Sequence, residues 1–184
     1  MNRIYIYLKY FLSIFLNNLK ISRILKSYPD WNILFNKNFE KIKSSHKKKI
    51  LIATSTGGHR VALTTETIFG FSLNLKGADV EFLICDKSLS ACSQCTHNQY
   101  KSEKEFNILK SKKICSSCWP IGNAYLKKSG FKFNKFSDFI EQDDLRKVNK
   151  IISEIKTSEI KNYKIDSISI GEHAYSGVLR YFAR

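Results

Sequence analysis

From residue 50 onward the apolar positions switch between two periods. "ILIAT" (50–54) is a continuous apolar run, the pattern of a parallel strand covered on both faces. "RVALTTETIFGFSLNLK" (60–76) sets Leu63, Ile68, Phe71 and Leu75 roughly along one helical face, and Gly77 follows as a natural C-terminal stop. "DVEFLICD" (79–86) reads as a second strand. Strand, crossover and strand of these lengths predict a right-handed parallel β-α-β unit. Further on, "PIGNAYLKKSG" (120–130) predicts a helix ended by Gly130, and "FKFNKF" (131–136) a third strand with a turn at Ser137. "DDLRKVNKIISEIKT" (143–157) predicts a helix, "YKIDSISIG" (163–171) a fourth strand, and the remaining residues a last helix. Alternating strands and helices predict an α/β fold with a Rossmann-like parallel sheet. No internal repeat is visible.

The chain before residue 50 has a different texture. Residues 1–28 are aromatic-rich and basic-flanked, ending at Pro29. Their apolar run "IYIYLKYFLSIFL" (4–16) would make a helix only ~20 Å long, short of the ~30 Å hydrocarbon core of a bilayer. Lys9 interrupts it, and no small-residue cleavage site follows. Two uses suit such an amphiphile. It can lie in a membrane interface, with Tyr5, Tyr7 and Tyr10 at headgroup depth and Lys20, Arg23 and Lys26 toward anionic lipid, or it can pack on the domain body. Residues 36–49, with Lys41, Lys43, Lys47, Lys48 and Lys49, read as a solvated basic stretch. The organisation expected is an N-terminal amphipathic helical segment (1–35), a basic linker (36–49), and a Rossmann-like domain (50–184) holding a cysteine-rich insertion (87–119).

Composition narrows the partners. The 184 residues suffice for one core, and a hydrophobic fraction of 43% excludes wholesale disorder. The formal charge is +15, from 31 Lys and Arg against 16 acids, yet only six of those cations are Arg. Nucleic-acid readers lean on Arg, which forks onto phosphate and guanine, so no nucleic-acid partner is expected. Scattered lysines reflect either compositional bias or attraction to anionic lipid and nucleotide phosphates. Without a secretory signal, five cysteines imply a reducing, cytoplasmic location, where paired cysteines hold metal more often than they form disulfides.

Three groups carry candidate chemistry. The first is the loop "STGGH", Ser55 to His59, between the first strand and its helix. It is neither a P-loop, lacking G-K-[ST], nor the dinucleotide fingerprint, lacking G-x-G-x-x-G. It is either a phosphate cradle on a helix N-terminus or a plain tight turn. At the first helical turn, His59 sits where the dipole favours neutral imidazole, which suits a general base; otherwise it is a capping or surface histidine. The second group is Cys92-x2-Cys95 and Cys115-x2-Cys118, separated by 19 residues. That spacing fits a closed, structural four-thiolate zinc site stapling a loop-rich insertion. An iron–sulfur cluster, two disulfides or free thiols remain the alternatives. Cys85 reads as a small buried hydrophobe, and His97 is near enough to substitute as a ligand. The third group follows the predicted strands. Asp86 suits a sugar hydroxyl or, preferably, a turn cap. Glu172 and His173 follow the fourth predicted strand toward the same crevice, and Arg180, seven residues past His173 on one helical face, suits a phosphate contact; a solvated helix end is the plainer account.

The stretch "ILIATSTGGHRVALTTETIFGFSLNLKGADVEFLICD", with "SACSQC" and "CSSCWPIG" after it, resembles the N-terminal half of bacterial capsule and surface-polysaccharide biosynthesis proteins. Those proteins look like glycosyltransferases of the two-Rossmann-domain, GT-B type. The resemblance spans about residues 50–139 and, more loosely, 163–184. "TGGH" is also similar to the loop of the transferase that adds N-acetylglucosamine in peptidoglycan synthesis, where it faces the acceptor and its diphosphate. The resemblance implies that Gly57, Gly58 and His59 line an acceptor site with His59 as base, while the loop amides of Ser55 and Thr56 and its glycines hold phosphate. The family's cysteine pairs fall on Cys92, Cys95, Cys115 and Cys118.

By this resemblance the chain is the acceptor-binding half of an inverting transferase, moving sugar from a nucleotide-sugar donor to a lipid-linked or polysaccharide acceptor. A C-terminal donor-binding domain does not follow in this sequence. The chain is then a fragment, a truncated product, or one subunit of a split enzyme peripheral on the inner face of the cell membrane. In split enzymes the acceptor-side subunit carries a membrane-contacting N-terminus and a Gly-Gly-His loop, though not a cysteine insertion. Two other classes of function compete: a zinc-knuckle nucleic-acid-binding module and a catalytically incomplete scaffold.

Overall fold

The structure is a computed structural model that describes residues 3–28, 48–89, 92, 94, 95 and 99–182. Most of the expected basic linker, residues 36–47, and His97 lie outside the described residues.

The chain opens with helix α1 (Arg3–Lys26). Strand β1 (Lys49–Thr54), helix α2 (Arg60–Leu75) and strand β2 (Asp79–Ile84) form the expected unit. Helices α3 (Glu103–Leu109) and α4 (Lys112–Ser129) lead to β3 (Lys132–Lys135) and then α5 (Gln142–Glu154). A two-stranded hairpin, β4 (Lys164–Ile165) and β5 (Ile168–Ser169), runs into α6 (Ile170–Phe182). The main sheet is parallel in the order β1-β2-β3, with Ile50 opposite Val80 and Phe82 opposite Phe133. The protein is thus mixed α/β, with a three-stranded parallel sheet compatible with a Rossmann-like arrangement.

Consecutive right-handed crossovers stepping the same way put both helices on one face of the sheet. The core shows this directly. Val80, Phe82 and Ile84, alternate residues of β2, cluster with Leu63 from α2 and with Tyr125 and Leu126 from α4. Phe82 also stacks on Phe131, ring centroids 4.9 Å apart. The other face of β1 is open: Leu51 is 58% exposed and Ala53 is exposed. The prediction that "ILIAT" is covered on both faces is therefore corrected.

Three further differences bear on function. Helix α4 starts at Lys112, not at Pro120, so Cys115 and Cys118 sit in a helix and not in a loop-rich insertion. Proline inside a helix costs ~3 kcal/mol, but Ile114 packs on one apolar cluster and Trp119, Ile121, Tyr125 and Leu126 on another. That burial outweighs the lost backbone bond. The second difference is the predicted fourth strand, which does not join the sheet. Asp166 and Ser167 take left-handed conformations (φ 49° and 69°), closing a tight hairpin that pairs β4 with β5 alone. The third is α3, which the sequence reading leaves as loop. Ser102 Oγ accepts from Glu105 N at 3.2 Å and Glu105 Oε2 accepts from Lys101 N at 2.7 Å, much like a capping box.

Helix α1 packs on the body along α4. Ile6 is buried with Tyr100 and Leu109, and Tyr10 Oη donates to Lys112 O at 3.1 Å. At the far end Tyr28 stacks on Tyr125 at 4.5 Å, while the Arg60 guanidinium donates to Ser27 O at 2.7 Å. Tyr10 is thus half-buried against α4, while Tyr5 and Tyr7 are exposed.

Candidate functional site

The loop after β1 lies at the carboxyl edge of the parallel sheet, where ligands of open α/β folds bind. Ser55 is exposed, Thr56 half-buried and Gly57 buried. His59 N donates to Thr56 O at 2.7 Å, closing the turn that starts α2. Neither Gly57 nor Gly58 has a positive φ, so neither is required by backbone conformation. Close packing requires Gly58. A Cβ on Gly58 would lie 2.4 Å from Cys118 Cα, and one on Gly122 would lie 2.7 Å from Gly57 O. The loop is seated on α4 with no room for a side chain at Gly58 or Gly122, and Gly58 N donates to Cys118 Sγ at 3.1 Å. Gly58 therefore has a structural account that needs no ligand, while a Cβ on Gly57 would meet the end of the Ile84 side chain at 2.5 Å.

His59 is the N-cap of α2, with Nδ1 accepting from Ala62 N at 3.2 Å. An imidazole nitrogen that accepts from an N–H carries no proton. The neutral ring in this position therefore bears its proton on Nε2 and offers a donor there. A base needs a free lone pair, which the ring gains only by leaving the cap.

Sequence reasoning misses Glu66, two turns along α2 from His59. Burial pushes its carboxyl pKa up, against a hydrogen bond from the Thr54 hydroxyl that pulls it down. Its Oε2 is buried and unpartnered. Thr54, the last residue of β1, is itself buried. The signal available in the sequence was position alone: Glu66 falls seven residues past His59, on the same side of the helix.

The four paired cysteines are neighbours without forming a closed site. Cys95 N donates to Cys92 O at 2.9 Å and Gln94 N to Cys92 Sγ at 3.4 Å, so the first pair lies on a tight turn. Burial raises the Cys118 thiol pKa; the Gly58 N–H lowers it, and the proximity of Cys92 and Cys115 raises it further. Cys115 is raised mainly by burial and also feels Cys92 and Cys95. The donor chemistry suits a soft or borderline metal. The geometry is not closed, because among the described residues no group of three or more His, Cys, Asp or Glu side chains converges as a metal site. The predicted four-cysteine zinc knuckle is not present as such. All five cysteines are free of disulfides.

Asp86 caps a turn, as preferred from sequence: it accepts from Ser137 N at 3.2 Å and from the Ser137 hydroxyl, tying the end of β2 to the turn after β3. The structure does not bring His173 to the sheet through a fourth strand. Gly171, Glu172 and His173 begin α6, which packs on the 3-10 turn Ile160–Asn162 and the β4–β5 hairpin. Gly171 is pressed there against Ile160 O, and Glu172 and His173 are exposed. Arg180 lies in α6, its side chain outside the described set.

Fold and site together define a class: an α/β protein whose strand–Gly-Gly–helix loop is held at the carboxyl edge of a three-stranded parallel sheet. Nothing narrower comes from relatives, since no family model, curated protein or solved structure matches this chain.

Proposed function

We propose that the chain is the acceptor-side half of a GT-B-type glycosyltransferase of surface or capsular polysaccharide biosynthesis. It transfers sugar from a nucleotide-sugar donor to a lipid-linked or polysaccharide acceptor, with a C-terminal domain or partner subunit supplying the donor site. The observation that carries this is His59, an exposed residue anchored at the helix start on the sheet's carboxyl edge, joined to the resemblance of "TSTGGH". In an inverting transfer the acceptor hydroxyl oxygen bonds to the anomeric carbon while the bond to the nucleotide diphosphate breaks. The hydroxyl proton goes to a base. His59 takes that role once acceptor binding draws the ring off Ala62 N and frees Nδ1. A second role follows from the resting tautomer, in which Nε2–H donates to the acceptor's phosphate with no movement.

The test uses the chain with its donor-binding partner, nucleotide sugar and extracted lipid acceptor. If His59 is the base, His59→Ala and His59→Asn both lose ~10²–10⁴-fold in transfer. If it is a phosphate donor, His59→Asn, whose amide both caps and donates, stays within about tenfold of wild type. Full activity in both variants refutes either role, and no transfer with or without the partner leaves the incomplete-scaffold account standing.

We include a structural zinc in this proposal, held by Cys92, Cys95, Cys115 and Cys118. Binding draws the four sulfurs together as the thiols give up their protons. Stoichiometric zinc in protein purified without chelator supports it; a folded, metal-free protein that takes up none refutes it.

A further inference from the structure

Helix α1 has two apolar faces, and only one is used. The inward face, at Ile6, Tyr10, Ser13, Asn17, Ile21 and Leu25, is buried or half-buried. The opposite face is the more hydrophobic of the two. Leu8, Phe11, Leu12, Phe15 and Leu19 follow one another at helical spacing and are all 60–64% exposed. With Ile4 they make a stripe ~22 Å long. A soluble domain turns its most apolar helix face inward, so this inversion marks a docking surface.

Its surroundings name the occupant. Helix α1 contains Arg3, Lys9, Lys20, Arg23 and Lys26 and no acidic residue. Beside the stripe runs an open groove of about 100 Å³, lined by Tyr5, Lys9, Tyr10, Lys101, Glu105 and Lys113 among others. Lys113 is paired with Glu105 at 3.0 Å. Lys9 and Lys101 lie beside that pair; the contact with Lys9 lowers the Lys101 pKa, and the nearby Glu105 carboxylate acts the other way. Three lysines around one carboxylate leave the tyrosine-rimmed groove with a net positive charge that an anion would offset. A second copy of this chain would bring the same cations against these, in a molecule already at +15. An anionic phospholipid bilayer supplies hydrocarbon for the stripe and phosphate for the lysines.

We propose that α1 docks the protein in the plane of an anionic phospholipid membrane, its outward stripe sunk into the interface and the Lys9–Lys101 groove taking a lipid phosphate. The helix lies on the membrane and does not cross it: among the described residues no helix is long and apolar enough to span a bilayer. This inference stands apart from the transferase proposal and is read without any sugar transfer.

The experiment is flotation of the full chain with phosphatidylcholine vesicles, with and without phosphatidylglycerol. Wild type is expected to float with the phosphatidylglycerol vesicles and to come off partly as salt rises. Phe11→Ser with Phe15→Ser should lower partitioning tenfold or more, with an unchanged melting temperature because both side chains point outward. Lys9→Ala with Lys101→Ala should weaken binding to the anionic vesicles by roughly fivefold per charge and leave the neutral ones unaffected. The proposal is overturned if wild type ignores anionic vesicles or if the phenylalanine pair binds like wild type. It is equally overturned by a wild-type dimer that the phenylalanine pair makes monomeric, which would name a second copy as the occupant.

Discussion

Replacing Gly58 with alanine separates a loop shaped by packing from a loop shaped by a ligand. The added Cβ falls 2.4 Å from Cys118 Cα and 3.0 Å from Cys118 O. Ordinary contact begins at 3.4 Å, so loop and helix must part by about 1 Å, and the obstacle is backbone that cannot rotate away. Overpacking of this kind costs ~1–3 kcal/mol. Stretching the Gly58 N–Cys118 Sγ bond adds about 1 kcal/mol. The sum, ~2–4 kcal/mol, corresponds to a fall of roughly 5–15 °C in melting temperature for a domain of this size. Thermal and urea unfolding followed by circular dichroism measure it. Gly177→Ala is the control: nothing lies within 4 Å of a Cβ there, and a helical glycine replaced by alanine gains up to ~1 kcal/mol. A Gly58→Ala protein that melts with wild type but no longer binds or transfers would refute the packing account and restore the glycine to a ligand.

Tyr28→Ala should cost ~3–5 kcal/mol in urea unfolding, because its buried ring stacks on Tyr125 and fastens the end of α1 to the core. Glu66→Gln should stabilise the protein at neutral pH. The folded-state pKa of Glu66 is raised, so its charge penalises the native state above that pKa, and the variant's gain should vanish as pH falls below the ordinary value of 4.5. Asp86→Asn should act in the opposite sense. Partial burial pushes the Asp86 pKa up, but the hydrogen bonds to its carboxylate, those from Ser137 foremost, together outweigh it and the net shift is downward. Its stabilisation is thus present above the ordinary 3.8, is lost as pH falls through the lower folded value, and amounts to about 1 kcal/mol at neutral pH given its exposure.

The β1–α2–β2 unit was legible because its signals agree: an apolar run, a helical stripe, Gly77 and a second run. Gly77 takes φ 88°, as a helix stop requires. The misread segments are those where local and tertiary signals conflict. Pro120 looks like a first helical residue, yet packing on both sides of it extends the helix back to Lys112. "IDSI" looks like strand interior, but Asp166 and Ser167 tolerate the left-handed turn that folds it on itself. Period alone cannot report that one face of β1 stays open, since covered and uncovered parallel strands share the same apolar composition. The inverted face of α1 was likewise invisible: with apolar residues nearly all round the first four turns, only the position of α4 decides which side turns inward.

Within the loop, the glycines and the histidine now support different kinds of claim. Gly58 has a sufficient cause in α4, since the Cys118 backbone stands where its Cβ would lie, whereas a Cβ on Gly57 would meet only the end of the Ile84 side chain at 2.5 Å and lie 3.6 Å from Gly122 Cα. The glycine at position 58 therefore does not by itself argue for phosphate. His59 has a partial cause in its cap on Ala62 N, but serine, threonine, aspartate or asparagine would cap a helix at least as well. An imidazole in a position that a smaller cap would serve is therefore the residue whose identity packing leaves unexplained. Cys118 links the two, because its sulfur accepts from the glycine next to His59 while also standing among the other cysteines. Drawing that sulfur into a metal site would strengthen its hold on the Gly58 N–H through thiolate charge, and with it the placement of the histidine. Chelation should then loosen the loop before it unfolds the sheet, seen as faster amide exchange at Gly58 and His59 with exchange in β2 unchanged; loss of both together would make the cysteines a support of the whole fold and not of the site.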